Sequence, residues 1–253
     1  MKLGFYDSGL GGLSILKSFL DKYRTQYEYF YYGDSARAPY GDKTPEELIS
    51  YMKEIFQIMH EKEVDLVISA CNTSSALLDQ VDLEDYFFQV ISLTEIVRDY
   101  FENSVEAAVL SDFNLPVGLL ATQGSINTAR YKEWGVNVQP IACTKLVPLM
   151  EAGDMEAAKI EWQNYLQMLD TNVEYVVVGC THYSFLIDEK QLSKYKFIDP
   201  ANLATAYFEK SIYSDSLISY KQSKDKKKLD LEIEFSKCDD EYFKLAEHLL
   251  SFV

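Results

Sequence analysis

Arginine is scarce in this chain. Only Arg24, Arg37, Arg98 and Arg130 occur among 253 residues, which argues against a phosphate site built from several guanidinium forks. Histidine is scarcer still, with three, and they form no metal-ligating pattern. The four cysteines, Cys71, Cys143, Cys180 and Cys238, include no C-x-x-C pair. In a chain of this length that makes a disulfide framework or a structural zinc site a poor fit. No run approaches the ~18 uninterrupted apolar residues of a membrane span. The opening MKLGFYDSGLGG reaches charge and glycine too early for a signal peptide, so a cytoplasmic protein is expected. Positive charge is also in deficit. Against 40 Asp and Glu stand 24 Lys and Arg, and the net −16 disfavours nucleic acid or an anionic membrane as partner. What remains is a protein that works on something small.

With 47% apolar and 25% charged residues the composition is that of a globular protein, large enough for one big domain or two smaller ones. Short apolar strands alternate with helical stretches. Strands are expected at Lys2–Tyr6, Tyr27–Tyr32, Asp65–Ala70 and Gln89–Leu93, then at Val117–Ala121, Val136–Ile141, Glu174–Val178 and Lys196–Ile198. Thr44-Pro45-Glu46-Glu47 opens a helix, with Thr as cap and Pro at its first position. Further helices are expected from Gly12, Ser74, Asn127, Thr144 and Met155, and around Val97–Glu102. Lys224–Lys228 reads as a solvated linker, Leu229–Phe235 as an alternating strand and Asp240–Phe252 as a closing helix. The fold class is therefore α/β, with a mostly parallel sheet in each half.

The two halves repeat. Asp65–Ser74 aligns without gaps on Glu174–Tyr183, so that Cys71 falls on Cys180, and the match runs on through Leu77/Leu186 and Asp79/Asp188. A weaker match lays Gly4–Ser8 over Gly118–Thr122. Each half thus has a hydroxyl residue after its first strand and a cysteine after a later one. Packing alone does not explain two such cysteines in equivalent places. The carboxyl end of a parallel strand is where open α/β sheets put ligand crevices. A helix opening there is expected to lower a thiol pKa. Two thiols meeting across one cleft suit a reaction with two mirror-related directions, in which one removes a proton and the other returns it to the opposite face. No phosphate loop and no G-x-G-x-x-G is present, since Gly9, Gly11 and Gly12 are wrongly spaced, so no cofactor and no metal are expected.

These residues resemble the cofactor-independent glutamate racemases of the aspartate/glutamate racemase superfamily. The resemblance runs over essentially the whole chain. Its blocks are Phe5–Gly12, Gly33–Gly41, Ala70–Thr73 and Gly179–Tyr183, with weaker ones at Val117–Ser125 and Leu146–Gly153. It implies two pseudo-symmetric open domains, 1–97 plus 206–253 and 98–205, with the active site in the cleft between them. It also implies that Cys71 abstracts the α-proton of D-glutamate and Cys180 that of L-glutamate, helped by Asp7 and His182 respectively. Ser8, Asn72, Thr73, Thr122 and Thr181 are similar to the groups that hold the substrate's carboxylates and amino group. Pro39, Tyr40 and Gly41 resemble the loop over its side chain, and Glu151 a carboxylate near the second thiol. The role implied is supply of D-glutamate for bacterial peptidoglycan.

Taken singly, several of these residues have plainer readings. Asp7 suits a turn, His182 a structural histidine, Thr122 a helix cap and Pro39-Tyr40-Gly41 an ordinary turn. Cys143 and Cys238 have no repeat partner and read as incidental. Ser35, Ser125 and Ser184 depart from the family pattern, and Asn103–Leu115 is longer than usual, a surface or homodimer-contact insertion. The distal pocket leaves aspartate or broad specificity open. A silent binding protein and a thiol hydrolase using Cys180 with His182 stand as rivals, though a binder need not keep a base on each face and the hydrolase leaves Cys71 without a task.

Overall fold

The computed structural model describes residues 1–214 and 228–250. Positions 224–227 of the charged segment, and 251–252 of the expected closing helix, lie outside the described residues. Nine strands are described: β1 (Lys2–Asp7), β2 (Glu28–Gly33), β3 (Leu66–Ser69), β4 (Gln89–Ser92), β5 (Pro116–Ala121), β6 (Asn137–Ala142), β7 (Tyr175–Gly179), β8 (Lys196–Ile198) and β9 (Asp230–Phe235). They form two sheets, in the orders β4-β3-β1-β2-β9 and β6-β5-β7-β8. Every pairing is parallel.

Written from the other edge, the second sheet reads β8-β7-β5-β6 and matches the order β4-β3-β1-β2 of the first. The repeat seen in sequence is thus a repeat of topology. β1 and β5 are the equivalent central strands, β3 and β7 their equivalent neighbours, and β9 is an extra strand beside β2. That edge carries Glu232 and Glu234, both paired with Lys62, and charge on an outer strand discourages pairing with another chain.

Burial on both faces explains the near-continuous apolar strands. On β1, Leu3 and Phe5 pack against Leu13, Leu16 and Phe19, while Tyr6 turns the other way toward Met52 and Phe56. Gly4 shares the face of Tyr6, where Met59 and Val64 approach so closely that a Cβ would lie 2.7 Å from each. The helix Pro45–Glu61 opens with the expected Thr44 cap, completed as a capping box by Glu47. In the second sheet β5 sends Leu120 toward the buried Trp162, and Leu119 and Ala121 toward Val97 and Phe101.

Several helices differ from expectation. The one after β3 begins at Asn72 and lasts only to Ser75, and the one after β5 begins at Gln123, four residues before the expected Asn127. Asn103–Leu115 is largely a helix, Val105–Asp112, capped by Ser104. It buries Ala107 and Leu110 and leaves Val105, Val109 and Phe113 exposed.

Candidate active site

The carboxyl ends of β1 and β3 face those of β5 and β7. The chain leaves β1 at Asp7 and Ser8, β3 toward Cys71, β5 toward Thr122 and β7 toward Cys180. These residues line one small cavity together with Pro39, Tyr40, Gly41, Asn72, Thr73, Thr181 and His182. Both thiols therefore meet one space, each as the residue just before a helical turn. Glu151 does not reach that space. It stands behind His182, whose Nε2–H donates to Glu151 Oε1 at 2.5 Å, while His182 Nδ1 lies 3.7 Å from Cys180 Sγ. Val147 does line the cavity, and sequence reasoning gave it no part because one more valine in an amphipathic helix carries no local signal.

Cys71 is buried beside Asp7. Burial pushes its thiol up to about 12, the charges of Asp7 and Cys180 add to the rise, and hydrogen bonds from Ser74 oppose it. This reverses the lowering expected from a helix N-terminus. The helix is four residues long, too short for much of a dipole, and desolvation outweighs it. Burial also raises the Asp7 carboxyl, against the pull of His182 and of the Gly9 and Gly12 N–H groups.

The second thiol has a different setting. Burial disfavours a charged His182, but the hydrogen bonds to Cys180 and Glu151 outweigh it, and the imidazole titrates well above its ordinary value. Glu151 shows the complementary balance. Burial raises its carboxyl, yet His182, Tyr242 and the Leu10 N–H together hold it below the usual range. A cation is thus held beside Cys180, and a carboxyl beside Cys71.

Close backbone approach assembles this arrangement. A Cβ on Gly11 would lie 2.2 Å from His182 Nδ1 and 2.6 Å from Thr181 Oγ1, and one on Gly9 would lie 2.2 Å from Glu151 Oε1. Glycine is required in that loop for space, so that the helix Leu13–Tyr23 can pack against the opposite half. Ser14 Oγ, in its first turn, donates to Thr181 O at 3.1 Å.

On the other side of the cavity the halves meet through hydroxyls. Thr73 Oγ1 is 3.0 Å from Thr122 Oγ1 and 3.2 Å from Ser125 Oγ, and Thr122 also caps its helix by accepting from the Ser125 N–H. The Asn72 side-chain oxygen is buried beside them with no hydrogen-bond partner. Buried Asp34 fixes the Pro39–Gly41 loop: its Oδ2 accepts from Tyr40 Oη and, at 2.6 Å, from Arg37 Nε.

The cavity between the thiols measures about 10 Å³, room for at most one water. Beside it, sharing Gly41 and Thr73, runs a cleft of about 640 Å³ that ends at Arg130 and Glu133. That volume suits a small ligand, but neither thiol lines it. Among the described residues no group of three His, Cys, Asp or Glu side chains is placed to hold a metal ion. Nor is any helix long and apolar enough to cross a membrane.

No protein-family model matches the chain. Curated proteins do. The chain is 30% identical over 262 residues to a glutamate racemase of Clostridium perfringens, covering 98% of this chain and 95% of the relative. It is 34% identical over 197 residues to that of Aquifex aeolicus, with coverage of 76% and 74%. Among solved structures, glutamate racemase from Campylobacter jejuni superposes with a TM-score of 0.79 at 26% identity, covering 100% of this chain and 99% of that one.

Proposed function

The chain belongs to the glutamate racemase family, and from that membership we propose that it interconverts L- and D-glutamate by proton transfer between Cys71 and Cys180. The observation that carries this reading is that two cysteines, each just after an equivalent strand of a separate sheet, line one cavity. From L-glutamate, Cys180 as thiolate takes the α-proton, and the Cys71 thiol gives its own proton to the opposite face. D-glutamate leaves with Cys180 as thiol and Cys71 as thiolate, the form from which the reverse reaction starts. The environments fit these parts. Burial and Asp7 keep Cys71 a thiol, ready as acid, while the His182 cation lies against the sulfur that carries charge at the start.

With four arginines in a chain of net charge −16, the substrate's carboxylates are held locally. We assign that task to Ser8, Asn72, Thr73, Thr122 and Thr181, with the Pro39–Gly41 loop over the side chain. The unpartnered Asn72 oxygen is suited to the substrate's ammonium group. The units 1–97 plus 206–253 and 98–205 open to admit substrate by way of the larger cleft, because the cavity between the thiols is too small for an amino acid. D-Glutamate so formed would serve peptidoglycan synthesis in the cytoplasm, where thiols stay reduced.

Polarimetry on each enantiomer, without added cofactor, tests the reading. Decay of both glutamate signals to zero rotation is expected. A signal that decays with aspartate but not glutamate would transfer the mechanism to another substrate, and no decay at all would leave a silent binding protein.

A further inference from the structure

Glu151 is gripped from three directions, and one grip comes from far away in the chain. Its Oε1 accepts from His182 Nε2 and, at 2.9 Å, from the Leu10 N–H. Its Oε2 accepts from Tyr242 Oη at 2.6 Å. Tyr242 lies on the last helix, Asp240–Leu250, 91 residues from Glu151. Its ring stands edge-on to Phe235, the final residue of β9, with centroids 5.1 Å apart, and Phe235 packs in turn on Tyr31. The hydroxyl therefore arrives on a side chain fixed by β9, the strand that, among the described residues, the first sheet has beyond its match with the second.

We propose that Tyr242 is a positioning residue for the second thiol: by holding Glu151 Oε2 it fixes the carboxylate that orients His182 toward Cys180, and so couples the closing helix to the proton transfer. The inference rests on the two-thiol reading above. Without the Tyr242 hydroxyl, Oε1 would still face Leu10 and His182, but the carboxylate would be free to rotate about its stem and to draw the Nε2 proton. Other titratable groups face this cluster from each neighbouring element: Asp7 from β1, Tyr31 from β2, Cys180 and His182 from the turn after β7, and Cys238 from the loop before the last helix. None of them donates to Oε2 in place of Tyr242.

Tyr242→Phe removes the hydroxyl and keeps the ring on Phe235. The expected result is a kcat lower by about tenfold, the scale of one hydrogen bond to a charged group, with KM for glutamate little changed. Because L- and D-glutamate are equally stable, kcat/KM must fall alike in both directions, so the decisive readout is its pH profile. Tyr242 favours the ionised carboxylate, and its loss lets Glu151 protonate at higher pH. The acid limb of kcat/KM therefore moves upward, a change that lost packing would not produce. Wild-type kcat with an unmoved acid limb, in a Tyr242→Phe protein of unaltered Tm, would overturn the inference. Cys180→Ala in parallel separates the two proposals. If that variant still racemises, the two-thiol reading fails; if it is dead while Tyr242→Phe behaves as wild type, only the positioning role fails.

Discussion

Cys71 and Cys180 occupy equivalent places in the repeat, yet their surroundings make them unlike. Cys71 has a buried carboxyl for neighbour and Cys180 an imidazole that stays protonated. The asymmetry is measurable. With burial and Asp7 still raising its thiol, Cys71 in Cys180→Ala should alkylate slowly with iodoacetamide at pH 8. The rate should keep climbing about tenfold per pH unit beyond pH 9, whereas an ordinary thiol levels off near 8.5. A plateau near pH 8.5 would show that burial and Asp7 do not govern this sulfur. At the same scale, replacing either cysteine by alanine should cost at least the 10²–10⁴-fold typical of a lost acid or base, since the proposed proton transfer uses both. The cysteines were legible in the sequence because two strand endings repeat. The direction of the Cys71 shift was not, because burial and the neighbouring Asp7 arise from strands that meet only after folding.

Glycines of the loop between β1 and its helix decide how closely the halves approach. Gly11→Ala would drive a Cβ into His182 and Thr181. Misplacing a catalytic group by about 1 Å can cost on the order of a hundredfold, so kcat should fall by that order while the far-UV circular dichroism stays unchanged. Undiminished activity would mean that His182 tolerates the shift and is not held by this loop. Most elements were readable from period and capping, as at Thr44-Pro45. The helix Val105–Asp112 was not, because the residues it buries, Ala107 and Leu110, form too narrow a stripe beside its exposed valines. The start and length of the turn Asn72–Ser75 escaped for another reason: four residues carry no periodicity. Tyr242 was illegible altogether, since a tyrosine 91 residues from its partner has no local signature, and the chain has 19 tyrosines.

For the molecule as a whole, the proposed reaction requires the two sheets to part, because the cavity between the thiols is too small for substrate. One latch spans the halves outside the site. Arg130 Nε donates to Ala76 O at 3.1 Å, and its guanidinium also pairs with Asp79. Exposed ion pairs contribute about 0.2–1 kcal/mol, so Arg130→Ala should raise the open population by up to about fivefold. Faster alkylation of Cys71 by that factor, at constant pH and unchanged global Tm, is the expected outcome. Equal rates in both proteins would place the latch elsewhere. The repeat in sequence foretold the paired sheets, and the alternation at Leu229–Phe235 foretold β9 separately; among the described strands β9 has no counterpart in the second half, and it brings the closing helix to Glu151.

In the proposed reaction two thiols on opposite faces of one substrate carbon exchange its proton. Proton NMR of the α-position in D₂O, with separate L- and D-glutamate and L- and D-aspartate samples and no cofactor, tests it most directly. Loss of the α-proton signal with inversion is predicted from both glutamate enantiomers, not from aspartate, and neither Cys71→Ala nor Cys180→Ala should invert either one. Inversion that survives the loss of either cysteine would contradict the account.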